Sequence, residues 1–275
     1  MQIAAIIPKV HEFLMAHASR PLTGLVSVSF RQLSPSAIVR LAKECSLDLI
    51  EWTGDIHVPP GDPVRAAEVK ALTRAEGLRV AAYGSYYRLG ISEPEMPFAG
   101  VLESAASLGA PVIRVWAGNL GSDVADEAVW DRVCLDAERT AVLAADLGIR
   151  IALEFHGNTL NDTPASAQKL WERLPLPNLQ SLWQPLPTLT RSEQDASLAV
   201  VLPRLSHVHV FQWCPGPPIT RHPLAEGITE WTEWLGVIHT SRPEVPALLE
   251  FVENDDPKHL RVESETLRRI LNRAS

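Results

Sequence analysis

Two glutamates inside strongly apolar segments are the residues of this sequence best suited to chemistry. Glu154 lies in the run Arg150-Ile-Ala-Leu-Glu-Phe-His156, and Glu250 lies in Ala247-Leu-Leu-Glu-Phe-Val252. Both runs have the composition of buried strands, where an unpaired carboxylate is very costly. Two interior carboxylates also repel each other unless a cation lies between them. The pattern therefore predicts that Glu154 and Glu250 share a positively charged partner.

Two further strand-like runs end in groups that bind metals or handle protons. They are Leu182-Trp-Gln184 and His207-Val-His209-Val-Phe211. Because side chains alternate along a strand, His207 and His209 share one face. Glutamates together with a histidine form a mixed ligand set that suits Mn²⁺, Mg²⁺, Co²⁺ or Zn²⁺. A divalent metal ion is therefore the favoured shared partner, with His209 as a ligand and His207, one step deeper, as a structural residue.

A second interpretation of these glutamates needs no metal. Glu154 and Glu250 could form ion pairs with Arg114 or Arg150 inside the protein, and His209 could be a hydrogen-bonded core residue. Gln184 is equally suited to packing, because an amide carbonyl binds a hard cation without adding charge to the site. The two interpretations differ in whether the shared partner is an ion or a side chain.

The segments that carry these residues belong to a regular alternation of strands and helices. Eight strand-like runs, each followed by a helix-like run, fill residues 24–272. Such alternation predicts a parallel sheet, and eight units predict a closed α/β barrel, the (β/α)8 or TIM barrel. We assign residues 21–275 to this single barrel domain and residues 1–20 to a short N-terminal helical extension, with its helix from Pro8 to Ala18. A dinucleotide-binding fold is not supported, because the first strand–helix turn, 29–34, has no G-x-G-x-x-G motif.

Active sites of TIM barrels lie at the C-terminal ends of the strands. Glu154, Gln184, His209 and Glu250 all fall at predicted strand ends. The same ends carry further polar or aromatic residues that could line a site: Glu51, His57, Tyr86, Arg114, Trp116 and His156. Tryptophans near strand ends could stack on a sugar ring, although most of the eight tryptophans are expected to pack in the core.

Composition excludes several classes of function. The net charge of −8 disfavours a general nucleic-acid or anionic-membrane surface. The three cysteines are widely spaced, which gives no disulfide framework and suits a reducing cytoplasm. No apolar run reaches transmembrane length, and the only basic residue of Met1–Val10 follows the apolar run, the wrong order for a secretory signal. We therefore expect a cytoplasmic protein that acts on a small molecule; the sequence leaves open whether it forms a homo-oligomer.

The strand-end segments resemble those of the xylose isomerase-like superfamily of TIM barrels. This superfamily includes sugar and sugar-phosphate isomerases and epimerases, and metal-dependent enzymes of the endonuclease IV type. The resemblance covers nearly the whole chain after about residue 20. It is carried by the segments around Glu154, His209 and Glu250, and by Arg221-His-Pro-Leu-Ala-Glu-Gly-Ile-Thr-Glu-Trp231, which is similar to the loop and helix start after strand seven.

The resemblance implies a metal ion and a set of site residues. The positions matching the family's metal ligands are Glu154, Gln184, His209 and Glu250, and the two glutamates match its proton-transferring pair. Substrate contacts are implied for His57, Arg114, His156 and Arg221. Two departures stand out: Gln184 occupies the position of an aspartate, and Pro185-Leu-Pro187 follows where the family has a substrate-contacting histidine.

These observations lead to one main hypothesis and two alternatives. The main hypothesis is a divalent-metal-dependent isomerase or epimerase of carbohydrate metabolism, acting on a sugar or related polyol. Glu154 and Glu250 would transfer the proton through an enediolate that the metal stabilises as a Lewis acid. The alternatives are a metal-assisted hydrolase or lyase on the same barrel, and a degenerate barrel that binds a polyol without catalysis.

Overall fold

A closed barrel of eight parallel strands forms the centre of the protein, as predicted. The computed structural model describes residues 20–214, 216 and 218–274, so the predicted N-terminal helix lies outside the described residues. The order around the barrel is β1-β10-β7-β6-β5-β4-β3-β2. The barrel strands are β1 Thr23–Val26, β2 Leu49–Thr53, β3 Arg79–Arg88, β4 Val112–Trp116, β5 Arg150–Glu154, β6 Leu179–Trp183, β7 Leu205–Val210 and β10 Ala247–Leu249.

The helices pack around the outside of the barrel, and several begin at clear sequence signals. Asp62 caps the second helix by accepting a hydrogen bond from the backbone N–H of Arg65. Thr163 and Thr190 form capping boxes at the fifth and sixth helices. The helices are α1 Pro35–Glu44, α2 Pro63–Ala75, α3 Phe98–Leu108, α4 Glu127–Ala145, α5 Pro164–Arg173, α6 Arg191–Val201, α7 Ile228–Ser241 and α8 Leu260–Ala274. In the part of the chain that the structure describes, no helix combines the length and apolarity needed to cross a membrane.

The structure differs from the sequence prediction at the ends of a few elements. The first strand, predicted over 24–30, ends at Val26 and continues as a 3-10 turn, Ser27–Phe30. Here the Ser27 hydroxyl, rather than a strand ladder, bonds the Thr53 backbone N–H at 3.0 Å. A small antiparallel hairpin, β8 Gln212–Cys214 and β9 Thr220–His222, follows β7 and was not predicted. Its strands are too short to give a periodic pattern.

Side-chain alternation places a polar layer directly above an apolar one inside the barrel. Ala82, Val112, Ala152 and Leu182 form a buried apolar cluster across four neighbouring strands. Two residues further along each strand lie Gly84, Arg114, Glu154 and Gln184. Because side chains alternate along each strand, the polar residues lie one layer above the apolar ones and face the C-terminal end of the barrel.

Three of the eight tryptophans pack together between the barrel and its helices, which agrees with the expected packing role. Trp183, Trp231 and Trp234 form a cluster of edge-to-face rings with centroids 5.2–6.1 Å apart. Their indole groups are paired: Trp183 donates to the Ser197 hydroxyl at 2.9 Å and Trp231 to the Phe211 carbonyl at 2.8 Å. This cluster fixes α6 and α7 against β6 and β7, the strands that carry Gln184 and His209.

Candidate active site

Seven polar side chains from six strands meet in the buried polar layer. Each is at most 7% exposed. Glu154, Gln184, His209 and Glu250 agree with the expectation that strand ends supply the site, because each lies at the C-terminal end of a barrel strand or directly after it, whereas Glu51, Arg114 and His207 lie deeper. The seven residues are Glu51, Arg114, Glu154, Gln184, His207, His209 and Glu250.

Three of these residues form a hydrogen-bonded cluster that we call the deep triad: Glu51, His207 and His209. Glu51 Oε2 lies 3.0 Å from Nε2 of His207 and 2.9 Å from Nε2 of His209. Nδ1 of His207 lies 2.7 Å from the Ser206 hydroxyl, so both ring nitrogens of this histidine have partners. The carboxylate comes from β2 and the histidines from β7, strands that are not neighbours in the barrel.

Electrostatics in the deep triad stabilise charge despite complete burial. Burial favours the neutral carboxyl of Glu51, but the charge of His209 and the hydrogen bonds from both histidines outweigh it and hold the pKa of Glu51 well below its usual range. Burial also opposes charge on His209, but Glu250 and Glu51 together raise its pKa to about 10. The pKa of His207 is lowered, because burial dominates over its bond to Glu51. The metal-free cluster is therefore an ionised carboxylate with one imidazolium.

The remaining acceptors form a second group, which we call the mouth set: Glu154, Gln184, Glu250 and Nδ1 of His209. Nε2 of Gln184 donates to Glu154 Oε1 at 2.9 Å. Nδ1 of His209 lies 3.3 Å from Glu250 Oε2. The four predicted metal ligands thus neighbour one another in pairs, and His209 belongs to both groups through its two ring nitrogens.

Three buried atoms of the mouth set have no hydrogen-bond partner among the described residues. They are Glu154 Oε2, Gln184 Oε1 and His209 Nδ1. Buried polar atoms are normally paired, so an unpaired group of two oxygens and one nitrogen from three strands indicates a missing partner. Oxygen and imidazole donors of this kind suit a divalent cation. By donor type these residues fit the metal that the sequence suggested, whereas among the described residues the group with three ligand atoms within 4.8 Å of one another is Glu51, His207 and His209.

The deep triad is a second arrangement that could hold a cation. One ligand atom each from Glu51, His207 and His209 lie within 4.8 Å of one another. These atoms already bond each other, and binding a cation there requires both Nε2 atoms to lose their protons and their bonds to Glu51. At the mouth set only one imidazole nitrogen, His209 Nδ1, has to lose its proton, and the contacts given up are His209 Nδ1 to Glu250 and Arg114 to Glu154, both at 3.3 Å.

Arg114 introduces a positive charge between two of the glutamates. Its Nε lies 3.3 Å from Glu154 Oε2 and 3.8 Å from Glu51 Oε1. The ion-pair alternative is therefore realised in part, and it involves Arg114; Arg150 is exposed at the opposite end of β5. Gly84 makes room for this arrangement, because a Cβ there would lie 2.7 Å from Glu51 Oε1 and 3.1 Å from Arg114 Nη2.

His57, a predicted substrate contact, is buried behind the strand ends. It is 2% exposed. Its Nδ1 lies 2.9 Å from the Ser27 hydroxyl, and Nε2 donates to the Leu33 carbonyl at 3.2 Å. Both ring nitrogens are occupied, so this geometry supports a structural role and gives no support to direct contact with a substrate.

The other two predicted contact residues lie at the mouth of the barrel. His156 is half-buried, packs on Trp116 with ring centroids 5.6 Å apart, and bonds the Gly157 carbonyl through Nδ1. Arg221 lies on β9, forms an ion pair with Asp255 and stacks 4.0 Å above the Phe251 ring. Arg221 also borders a cavity of about 510 Å³ together with Trp213 and Asn254. The side chains of His156 and Arg221 therefore lie near the entrance of the barrel, where the sequence predicted substrate contacts.

A polar and aromatic wall on β3 and β4 contains Tyr86, Arg114 and Trp116, which were expected at strand ends, and Arg88, which was not. Tyr86 and Trp116 meet edge to face, with centroids 5.2 Å apart. Arg88 lies 4.2 Å and Arg114 4.6 Å from the Trp116 ring centroid. The signal was present in the two-residue period of β3, which puts Ala82, Gly84, Tyr86 and Arg88 on one face.

Backbone strain is concentrated directly after Glu250. Phe251 has φ 54°, a left-handed conformation that is unusual for a bulky residue. The Phe251 N–H donates to the Ser29 hydroxyl at 2.9 Å, which holds the strained residue in place. Strain of this kind clusters at functional sites, and here it fixes the direction in which the chain leaves Glu250.

Comparison with known proteins places this architecture in a family. The sequence pattern of the xylose isomerase-like TIM barrel matches residues 39–270. Among curated proteins, none matches the sequence significantly. A probable 3-DHS dehydratase, AsbF, from Bacillus anthracis has a similar structure, with a TM-score of 0.73, 20% identity and coverage of 90% of this chain and 98% of that one.

Two further solved structures are similar at low sequence identity. A xylose isomerase-like TIM barrel protein from Mycobacterium smegmatis in complex with magnesium has a TM-score of 0.72 and 16% identity, covering 93% of this chain and 98% of that one. A D-psicose 3-epimerase, in the presence of D-fructose, has a TM-score of 0.67 and 16% identity, covering 90% and 97%. At these identities the structural likeness concerns the fold. The match over residues 39–270 shows that the chain belongs to the xylose isomerase-like TIM barrel family.

Proposed function

We propose that this protein is a divalent-metal-dependent isomerase or epimerase of a sugar or sugar-like polyol. The observation that supports this most is that buried polar atoms of Glu154, Gln184 and His209 have no hydrogen-bond partner among the described residues, with the Glu250 carboxylate 3.3 Å from His209 Nδ1. Membership of a family whose similar structures include a D-psicose 3-epimerase favours the same reaction class. A small-molecule substrate and a cytoplasmic location are part of this proposal.

The mouth set is the better candidate for the metal site. A metal-bound histidine usually donates its second ring N–H to a carboxylate, which fixes the tautomer and the orientation of the ring. Nε2 of His209 has this relation to Glu51, and it leaves Nδ1 facing Glu250. We therefore assign Glu154, Gln184, His209 and Glu250 as the ligands and Glu51 as the residue that orients His209.

The charge of this ligand set predicts modest metal affinity. Gln184 contributes a carbonyl oxygen in place of a carboxylate, so the set carries two negative charges from its glutamates. Arg114, 3.3 Å from Glu154, offsets part of that charge. Affinity for hard divalent cations rises with the number of charged ligands, so loss of the metal on dilution or chelation is expected.

The side chains divide the proposed reaction between them. One of Glu154 and Glu250 removes the proton from the carbon next to the substrate carbonyl, and the other returns it. Arg114 holds the Glu154 carboxylate in position through a buried ion pair, with Nε 3.3 Å from Oε2. A bound divalent cation supplies Lewis-acid stabilisation of the negative charge that develops on the substrate oxygens.

The test is solvent isotope exchange. The protein is loaded with Mn²⁺ or Co²⁺ and incubated in deuterated water with a panel of ketoses, and carbon-bound deuterium is followed by NMR. We expect exchange in the wild type and its loss by at least about 10³-fold in Glu154→Gln and Glu250→Gln, because each variant lacks one proton-transfer group.

A matched control and a contrary result complete this test. Glu253 lies three residues after Glu250 but pairs with His259 at 3.2 Å, so Glu253→Gln should retain exchange. If no ketose of a broad panel exchanges in the metal-loaded protein, the isomerase proposal fails. Absence of bound metal as well would leave a non-catalytic polyol-binding barrel as the better account.

A lyase is the second candidate, because elimination begins with the same proton removal. The probable 3-DHS dehydratase has the highest TM-score of the similar structures described above, which favours keeping this reaction class. Elimination of water changes the substrate mass and creates a carbon–carbon double bond, so mass and ultraviolet absorbance of the product separate a lyase from an isomerase in the same incubation.

A further inference from the structure

Arginines around the mouth of the barrel differ in whether a carboxylate neutralises them. Within residues 20–214, 216 and 218–274, Arg88 has no carboxylate at ion-pair distance. The other arginines named at this end of the barrel each have one: Arg31 pairs with Asp55, Arg114 with Glu154 and Arg221 with Asp255. Arg88 is therefore a positive charge at the site entrance that no carboxylate of the described residues neutralises.

The contacts of Arg88 hold the guanidinium in place but leave most of its donors free. Arg88 is half-buried at the end of β3, and its Nη1 donates to the Gly118 carbonyl at 3.2 Å. The guanidinium lies 4.2 Å from the centroid of the Trp116 ring. A guanidinium has five N–H donors in a planar fork, and stacking on an aromatic ring leaves its edge available for a bidentate acceptor.

Neighbouring donors in the same wall also lack partners. Trp116 Nε1 and Arg114 Nη1 are buried and have no hydrogen-bond partner among the described residues. Arg88 and Trp116 are paired in the register of β3 and β4, and the Arg114 guanidinium lies 4.6 Å from the same indole ring. Unpaired donors of three neighbouring side chains indicate an acceptor-rich ligand group.

The local electrostatics favour a negative group at this place. Burial lowers the pKa of Arg88, and the positive charge of Arg114 lowers it further, with Glu154 compensating only in part. The wall therefore carries excess positive charge next to the carboxylates of the mouth set. An anion bound there would relieve the repulsion between the two guanidinium groups.

We propose that Arg88, Trp116 and Arg114 form a subsite for an anionic group of the substrate. This inference rests on the proposed function and narrows its substrate class to a polyol that carries a carboxylate or a phosphate. Both groups present oxygen pairs that an arginine fork binds bidentately. The reacting end of the substrate would face Glu154 and Glu250, and the anionic group would lie against the β3–β4 wall.

The test uses three compounds that differ only at one end: D-fructose, D-fructuronate and D-fructose 6-phosphate. Binding to the Mn²⁺-loaded protein is measured by calorimetry, and exchange is measured in deuterated water. We expect one of the two anionic compounds to bind at least about tenfold more tightly than fructose, which corresponds to about 1.4 kcal/mol. Which one does so identifies the carboxylate or the phosphate as the natural group.

Variants connect this preference to Arg88. Arg88→Gln should abolish the charge preference while fructose binding changes by less than about threefold, and Arg88→Lys should retain part of it because the charge remains. Arg40→Gln, which removes an exposed charge on the outside of α1, is the control and should leave the preference intact. Equal unfolding temperatures of the four proteins establish that folding is not the cause.

The two proposals fail in different ways. Exchange of fructose with no charge preference in binding would overturn the anionic subsite and leave the isomerase proposal standing. An anion preference that Arg88→Gln removes, without exchange of any compound, would support the subsite and count against the isomerase. An equal loss of binding for all three compounds in Arg88→Gln would assign Arg88 to the structure of the wall and overturn the subsite.

Discussion

The deep triad and the mouth set share His209 but differ in how completely their polar atoms are paired. In the deep triad, Glu51 Oε2 bonds two histidines at 2.9 and 3.0 Å, and Glu51 Oε1, 3.8 Å from Arg114 Nε, is the one carboxylate oxygen without a hydrogen bond within the described residues. In the mouth set, Glu154 Oε2, Gln184 Oε1 and His209 Nδ1 have no hydrogen-bond partner within the described residues. Both groups are equally buried, so exposure does not explain the difference.

This difference separates a group that holds the site together from one that is prepared for a ligand. A satisfied buried network rigidifies its surroundings, whereas unsatisfied buried atoms lower stability and persist where a ligand completes them. His209 belongs to both groups. Its Nε2 bonds Glu51, which fixes the orientation of the ring, and its Nδ1 faces Glu250 in the mouth set. Substitutions that affect one group and not the other test this division.

The largest expected effect is on folding stability. Glu51→Gln should lower the free energy of unfolding by about 3–5 kcal/mol, because it removes the buried carboxylate that contacts both histidines and leaves the His209 imidazolium with Glu250 alone. Glu154→Gln should cost less, about 1–3 kcal/mol, because Arg114 loses its nearer carboxylate but keeps Glu51 at 3.8 Å, and the amide keeps an acceptor for Gln184. Urea unfolding in EDTA measures both; equal losses would contradict the division into two groups.

Metal affinity should distinguish the two histidines. Replacing the ligand His209 by Asn should weaken Co²⁺ binding by at least about 100-fold, more than the 10–100-fold typical of residues outside the ligand shell. His207→Asn should change the affinity by less than about tenfold, because His207 contacts no mouth-set atom. Competition titration with a chelator gives both constants. The reverse ranking would move the metal to the deep triad.

Close packing between the two groups can be tested at Gly84. Gly84→Ala places a Cβ 2.7 Å from Glu51 Oε1. We expect a loss of about 1–3 kcal/mol of unfolding free energy, because the buried carboxylate and Arg114 have to move apart. Gly157→Ala is the control, since its Cβ would meet nothing within 4 Å and its φ is not positive. Chemical unfolding of both variants measures the effect, and similar losses would contradict it.

The charge of the mouth set can be increased by one residue. Gln184→Asp adds a third carboxylate and should raise Mn²⁺ affinity by about tenfold, or about 1.4 kcal/mol. The metal-free variant should be less stable than the wild type, because the new charge lies beside Glu154. Titration of Mn²⁺ at fixed pH measures the affinity. Unchanged affinity would show that residue 184 does not bind the ion.

The stability of the metal-free protein should also depend on pH. The pKa of His209 is raised to about 10, so its contribution to stability is complete below its unfolded value near 6.5 and is lost as the pH rises through 10. The depressed pKa of Glu51 has the opposite sign: its contribution is complete above about 4.5 and is lost in more acidic solution.

Stability should therefore be greatest between about pH 5 and 6.5 and fall by on the order of 1 kcal/mol or more toward pH 9.5. Urea unfolding in EDTA at several pH values measures this slope. Glu51→Gln should flatten it, because the pKa of His209 loses one of its two carboxylate neighbours. The same slope in both proteins would assign the titration to other groups.

Sequence reasoning was most successful where a local period determines the result. Eight strand–helix units predicted the barrel, and the two-residue period predicted that Glu154, His209 and Glu250 point inward. It was weakest at His57, where a polar residue after a strand end was expected to reach the substrate. The structure instead pairs both of its ring nitrogens with Ser27 and Leu33, contacts that no local pattern encodes.

The sequence by itself determined the architecture and the inward direction of the candidate site residues, because helix and strand periods are local and hydrophobic burial enforces them. Only the tertiary structure decided how those residues pair. Barrel closure brings Glu51 within hydrogen-bond distance of His207 and His209, which lie 156 and 158 positions later in the sequence. It also sets Arg114 beside Glu154. Such pairings depend on which strands face each other across the barrel and on the space left at Gly84, and both are properties of the closed fold.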